Sequence, residues 1–314
     1  MRVESQKPRV ESQSSCPLSS GSRPLTLDSE SNMRSIRHKN ALVTGAAAGI
    51  GRAIALRLAR EGVHLYLLDV NEPGLVSVVS AARRAGVNAL GRYCDVSQPA
   101  HITRSVTDAL ARWDKIDILV NNAGITYYGD TEKMSADDAD RLLAINLHAP
   151  IQFTRELLPT LLAQPEAHVL NVASFFGLVG TRKLALYTAS KFGLVGFSES
   201  LRAEYGRRGL GVTALCPGFV DTNLFDTAWR GIDRQVSKRP PRWMLTTPEK
   251  IAVRAVKSIY RNRAVDVTQP YAQLAYYGKR FFPGLLDWAN HLSRKRKQSR
   301  AAVASSEKSL RKAA

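Results

Sequence analysis

The sequence predicts an α/β fold, a doubly wound and mostly parallel sheet. From residue 40 onward, short apolar runs alternate with longer segments of helical periodicity. The short runs are apolar almost throughout, as strands covered on both faces are. The segments between them are long enough to cross over a sheet, which parallel neighbours require. Hydrophobic residues make up 44% of the chain, an ordinary share for a domain with a sizeable core.

The first strand is "ALVTG" (41–45), and "GIGRAIALRLAREG" (49–62) follows it. There Ile50, Ile54 and Leu58 keep helical spacing, and Glu61–Gly62 stops the helix. "VHLYLLD" (63–69) is the second strand. The helix after it, 72–86, has Pro73 in its first turn and Gly86 as its stop. "NALGRYCD" (88–95) is the third strand, 99–113 a helix, and "IDILVNNAG" (116–124) the fourth strand. A long helix spans 136–163, and "AHVLNVAS" (167–174) is the fifth strand. A second long helix, 185–208, leads to "LGVTALCPG" (210–218), the sixth strand.

Both ends differ from this body. Residues 1–37 are rich in Ser, Pro and charge, so disorder is expected there. "RVESQ" occurs at 2–6 and again at 9–13, too few copies for a solenoid. No apolar run has the form of a secretory signal. Met33, just ahead of the first strand, is the expected start of the working protein. Residues 38–268 form the domain, and 269–314 form an amphipathic segment with a basic tail. The net charge is +18, and residues 291–314 alone carry a surplus of seven positive charges. Such a tail suits an anionic membrane surface or nucleic acid, but no nucleic-acid-binding motif stands behind it. Cys16, Cys94 and Cys216 have neither metal-like spacing nor an even count, so no metal is expected and a reduced, cytoplasmic setting is the default.

Ligands of doubly wound sheets bind beyond the carboxyl ends of the strands, and the chemistry-bearing residues lie there. "TGAAAGIG" (44–51) joins the first strand to the first helix. Gly45, Gly49 and Gly51 leave no side chain between backbone and a phosphate, and the helix offers unpaired N–H groups and a positive dipole end. Asp69 ends the second strand, 18 residues after Gly51. A carboxylate there bonds the ribose hydroxyls of NAD and repels a 2′-phosphate, so NAD is expected over NADP.

With these residues in place, the sequence resembles the short-chain dehydrogenase/reductase family, in its TGxxxGIG branch, from about residue 39 to about 268. The motifs come in the family's order: "TGAAAGIG", "CDV" (94–96), "NNAG" (121–124), Asn146 in "AINLHAP", Ser174 in "NVASFFG", "YTASK" (187–191) and "PGFVDT" (217–222). The resemblance implies a Rossmann-type domain and a catalytic set of Ser174, Tyr187, Lys191 and Asn146. Tyr187 is the implied acid/base, Ser174 holds the substrate oxygen, and Asn146 supports a water-linked proton path to Lys191. It implies cofactor contacts from Thr44, Gly45, Gly49, Ile50, Gly51 and Asp69. Asp95, beside Val96, would bond the adenine, and Asn121 would line the adenosine side. Gly124 would let the chain pass close to the cofactor. Pro217, Gly218, Val220 and Thr222 would border the nicotinamide, and Lys191 would also hold its ribose. Partners implied are a small-molecule alcohol or ketone substrate and a second copy, in a homodimer or homotetramer built on the two long helices.

Elementary physics agrees with the pairing. Tyr187 and Lys191 are four residues apart, one turn along a single helix face. A tyrosine ordinarily titrates at about 10, and acting as a base near neutrality requires about 4 kcal/mol of differential stabilisation of its phenolate. A lysine cation together with an oxidised nicotinamide ring is the right kind of field.

The substrate is written less plainly. Phe175, Phe176, Tyr127, Tyr128 and the loop 223–246, with Leu224, Phe225, Trp229, Trp243 and Met244, point to a bulky apolar alcohol or ketone such as a steroid, retinoid or fatty chain. Arg230, Arg234, Lys238, Arg239 and Arg242 in that loop would suit an acidic carrier instead, making the chain a 3-oxoacyl-carrier reductase. A non-catalytic dinucleotide sensor is the reading from another class, and the complete Ser–Tyr–Lys–Asn set stands against it. The segment 271–297 combines aromatics, leucines and a basic end, the composition of an interfacial segment, and is too interrupted to span a bilayer.

Overall fold

The computed structural model describes residues 33–222, 229–230, 240–282 and 284. The disorder expected over residues 1–37 falls outside the described residues as far as residue 32, as do most of the loop 223–239 and the basic tail 291–314; residues 33–37 are described and depart from that expectation, because Met33 and Ile36 are buried.

The chain builds β1 (Asn40–Thr44), α1 (Gly49–Arg60), β2 (His64–Asp69), α2 (Glu72–Arg84), β3 (Ala89–Tyr93), α3 (Pro99–Trp113) and β4 (Ile118–Asn121). Next come a two-residue strand β5 (Tyr127–Tyr128), α4 (Ala136–Leu143), α5 (Ala149–Leu162), β6 (Ala167–Val172), α6 (Ala185–Tyr205) and β7 (Leu210–Cys216). The short β8 (Trp229–Arg230), α7 (Pro248–Tyr260), β9 (Val265–Val267) and α8 (Pro270–Phe281) are the last elements among the described residues. Seven strands form one sheet in the order β3-β2-β1-β4-β6-β7-β9, and β5 pairs with β8 apart from it. Every pairing in the large sheet is parallel. This is the doubly wound fold the apolar runs predict. The order turns back between β1 and β4, and a crevice opens beyond their carboxyl ends.

The period-two alternation of each strand divides its side chains between two helical layers. Ala41 and Val43 of β1 face a core shared with α1, α2 and α7, where Ile54, Leu58, Val78 and Ile259 are fully buried. Leu42 faces the other layer, packed with Ile102 of α3 and with Phe153 and Leu157 of α5. Met33 and Ile36, ahead of β1, are buried in the first of these cores.

Two departures from the sequence reading have local causes. The helix expected over 136–163 is interrupted by a π turn, Ala144–His148, between α4 and α5. Pro150 has no N–H to continue the ladder, and Ala149 N–H donates instead to Ala144 O, five residues back. The seventh strand, β9, has three residues and is too short to carry a periodic signal. Tertiary contacts secure it: Asp266 is buried and accepts two hydrogen bonds from Arg254 Nε and one from Arg254 Nη2 on α7, at 2.8–2.9 Å.

Candidate active site

The cradle begins where β1 ends. Gly45 and Gly49 have φ of +64° and +54°, the left-handed region that side chains disfavour. A Cβ on Gly51 would overlap the Gly45 carbonyl oxygen, so the first turn of α1 presses directly on the loop. That turn has no side-chain cap and no acidic residue, which leaves its N–H groups for an anion.

Thr44 and Asn122 stitch this loop to the end of β4. Thr44 Oγ1 accepts from Asn122 N and Ala123 N at 3.0 and 3.1 Å. Asn122 Nδ2 donates to the carbonyls of Thr44 and Gly45, both at 3.0 Å. Asn121 was the expected residue on the adenosine side, and its side chain turns the other way. It is buried and donates to Asn171 Oδ1 at 2.8 Å, because successive strand residues face opposite layers. Asn122 takes the cavity side, a signal present in the alternation of β4 itself.

Beyond the cradle a single cavity of about 1240 Å³ follows the strand ends. Its wall includes Gly45, Gly49, Ile50, Asp69, Asp95, Val96, Gly124, Ser174, Tyr187, Lys191, Pro217, Gly218, Val220 and Thr222. Thr44, Gly51, Asn121 and Asn146 lie behind that wall. Asp69 is aimed by two backbone donors, Ala47 N on Oδ2 at 2.9 Å and Asn71 N on Oδ1 at 3.0 Å. Asp95 is fixed by Ser97, whose N and Oγ donate to Oδ1 at 2.9 and 2.7 Å.

At the far end, Tyr187 and Lys191 stand one turn apart on α6, both buried. Lys191 Nζ lies 5.9 Å from the Tyr187 ring centroid and donates to Val172 O at 3.0 Å. Ser174 Oγ accepts from Phe176 N at 3.1 Å. Burial raises the Tyr187 hydroxyl above its ordinary value, and the Ser174 hydroxyl opposes that rise. Burial also brings the Lys191 ammonium down to about 8. Burial is thus the largest influence on both groups. Asn146 sits in the π turn, where Oδ1 accepts from Ile125 N and Nδ2 donates to Ile125 O, both at 2.9 Å. A Cβ on Gly124 would lie 3.3 Å from Asn146 Oδ1 and 3.5 Å from Lys191 Nζ, so this glycine runs between the two.

Phe176, Tyr128 and Met244 line the cavity beside Tyr187, as expected of the aromatic and apolar set. Phe175 and Tyr127 pack behind it, and Trp243 is 75% exposed. One 3-10 turn, Arg242–Met244, sends Trp243 and Met244 in different directions. Arg141, Arg182 and Phe219 join the wall without having been singled out in the sequence, since only the tertiary fold brings them there.

A strand-end crevice with an open helix N-terminus, a carboxylate at the end of β2 and a Ser–Tyr–Lys cluster is the arrangement of a dinucleotide-dependent α/β enzyme. The family model for short chain dehydrogenase matches residues 39–232. The chain belongs to that family and is an NAD(P)-dependent oxidoreductase. It is similar to a short-chain dehydrogenase/reductase from Burkholderia phymatum solved in complex with NAD, at 28% identity and a TM-score of 0.72, over 81% of this chain and 97% of that one. An actinorhodin polyketide ketoreductase variant with NADPH is 31% identical, with a TM-score of 0.66 over 73% and 95% of the two chains. A 3-ketoacyl-(acyl-carrier-protein) reductase from Brucella melitensis complexed with NADH is 30% identical, with a TM-score of 0.64 over 76% and 93%.

Gly51→Ala forces backbone against backbone in the cradle, whereas a Cβ on Gly196 meets open space. Gly51→Ala is expected to weaken NADH binding, read by nucleotide fluorescence, by at least about tenfold, a loss of roughly 1.4 kcal/mol. Gly196→Ala is expected to bind as the wild type does.

Proposed function

We propose that the protein interconverts a ketone and a secondary alcohol on a bulky, largely apolar substrate, with NAD(H) as its cofactor. The observation that carries this reading is the Ser174–Tyr187–Lys191 cluster facing one cavity whose neighbouring wall is Phe176, Leu184, Phe219 and Met244. A carbonyl oxygen placed between the Ser174 and Tyr187 hydroxyls is held by both. In reduction Tyr187 gives that oxygen its proton, and in oxidation it takes the proton back. Lys191 supplies positive charge beside the phenolate and is held in place through the Val172 carbonyl. Asn146 fixes Ile125, at the cavity wall, through both backbone groups. When bound, the dinucleotide would supply or accept the hydride at its nicotinamide ring, and its diphosphate would be held at the α1 cradle. The carboxylate of Asp69, aimed by Ala47 and Asn71, favours NADH over NADPH by repelling a 2′-phosphate.

Among bulky carbonyls, 3-oxoacyl thioesters are the class that two of the similar solved proteins, a polyketide ketoreductase and a 3-ketoacyl-(acyl-carrier-protein) reductase, favour by name. Two cations on the wall, Arg141 and Arg182, suit an acidic carrier arm. Steroid and retinoid alcohols are the alternative filling of the same apolar wall. Assays with 3-oxoacyl thioesters, ketosteroids, retinal and aliphatic ketones, each with NADH and NADPH, separate these. Thioester reduction with NADH preferred is the expected result, and Tyr187→Phe is expected to lower kcat by about 10³-fold. Equal turnover by wild type and Tyr187→Phe would remove the proposed role of the tyrosine.

In this reading the enzyme is cytoplasmic, a homodimer or homotetramer on the α4–α5 and α6 helices, and peripherally attached to membranes through 271–297. The described part of that segment favours attachment. Leu274, Tyr277 and Phe281 share one face of α8 and are 76, 54 and 70% exposed. Among the described residues no helix is long and apolar enough to cross a bilayer. Co-sedimentation of the full chain with phosphatidylserine vesicles is expected, falling about tenfold in Leu274→Glu/Phe281→Glu. Equal pelleting of the two proteins would exclude the α8 face.

A further inference from the structure

Helix α8 lies beyond the residues matched by the family model, yet its start is bonded to the wall of the active-site cavity. Gly218 N donates to Gln269 Oε1 at 2.6 Å. Phe219 N donates to Tyr271 Oη at 2.7 Å. Gln269 Nε2 returns a bond to Phe219 O at 3.3 Å. Two consecutive N–H groups of the wall, and the carbonyl of Phe219, are thus held by side chains of one short segment. Packing adds to this: the Tyr271 ring stacks on Phe219 with centroids 6.3 Å apart and planes at 19°. It also meets Phe175 edge-on at 6.3 Å.

The clamp is itself anchored. Gln273 Nε2 donates to Val267 O at 2.7 Å, tying α8 to β9 and so to the sheet. Gln269 is 8% exposed, so its amide has little access to water and depends on these partners. Gly218 carries an independent sign of the same fit. A Cβ there would overlap Tyr271 Oη and lie 3.0 Å from Gln269 Oε1. The glycine of "PGFVDT" is therefore required by the approach of α8.

We infer that Gln269 and Tyr271 are positioning residues for cofactor binding: they fix the Pro217–Val220 backbone that borders the nicotinamide half of the dinucleotide. The inference rests on the proposed placement of the nicotinamide beside this segment. A mobile wall would be ordered only on binding, and that cost would fall on ligands carrying a nicotinamide. ADP-ribose has the adenosine and diphosphate but lacks the ring, so it reports the rest of the site alone.

The test measures NADH and ADP-ribose affinities of the full chain by fluorescence and calorimetry, for wild type, Tyr271→Phe, Gln269→Leu and Gln269→Glu. Tyr271→Phe keeps the ring contacts and loses only the oxygen. Gln269→Glu keeps an acceptor for Gly218 N. The expected result is NADH binding about tenfold weaker in Tyr271→Phe and Gln269→Leu, ADP-ribose binding unchanged, and substantial recovery in Gln269→Glu. Unchanged NADH affinity in both variants, or equal weakening of NADH and ADP-ribose, would overturn the positioning role. Wild type binding ADP-ribose as tightly as NADH would overturn it differently, by removing the nicotinamide placement on which it rests.

Discussion

The Thr44 hydroxyl is the joint on which the site depends. It accepts two backbone donors from the end of β4 and so fixes the gap between β1 and β4, the point where the strand order turns back. The parallel sheet dictates that all strands deliver their ends to one edge. Without the stitch, that edge would be two independent loops. With it, the glycine cradle, Gly124 beyond Asn122, and the cavity between them share one frame. Asn122 closes the joint from the other side, bonding the two carbonyls that precede the α1 turn.

The second constraint is burial. Tyr187 and Lys191 are both taken out of water, and each is pushed towards its neutral form, the hydroxyl upward and the ammonium down to about 8. Ser174, the one group that draws the Tyr187 hydroxyl downward, is the group that would touch the substrate oxygen.

Much of this was legible in the sequence because its signals are local. The alternation of apolar runs gives the parallel sheet, the glycine turn gives the cradle, and a spacing of four puts Tyr187 beside Lys191. Where the reading failed, tertiary structure had decided. Asn121 and Asn122 are adjacent, and only the facing of β4 says which one meets the cavity. The π turn at Asn146 follows from Pro150, a residue whose effect on the ladder reaches back along the helix. Trp243 reads as a pocket aromatic, and one turn of 3-10 helix turns it to solvent. Strand β9 and the hold of α8 on Gly218 have no periodic signal, because β9's pairing with β7 and the α8 bonds are contacts across about 50 residues of chain.

The most direct measurement is the fate of the hydride. A ketone reduced with NADH carrying deuterium at both C4 positions of its nicotinamide, in ordinary water, would give an alcohol analysed by mass and proton NMR. The account requires one deuterium on the carbinol carbon, from a ring seated beside the carbonyl held by Ser174 and Tyr187, with the hydroxyl proton drawn from water. An alcohol without deuterium at that carbon would contradict it, because the hydrogen would then have reached carbon by a route that this cavity does not provide.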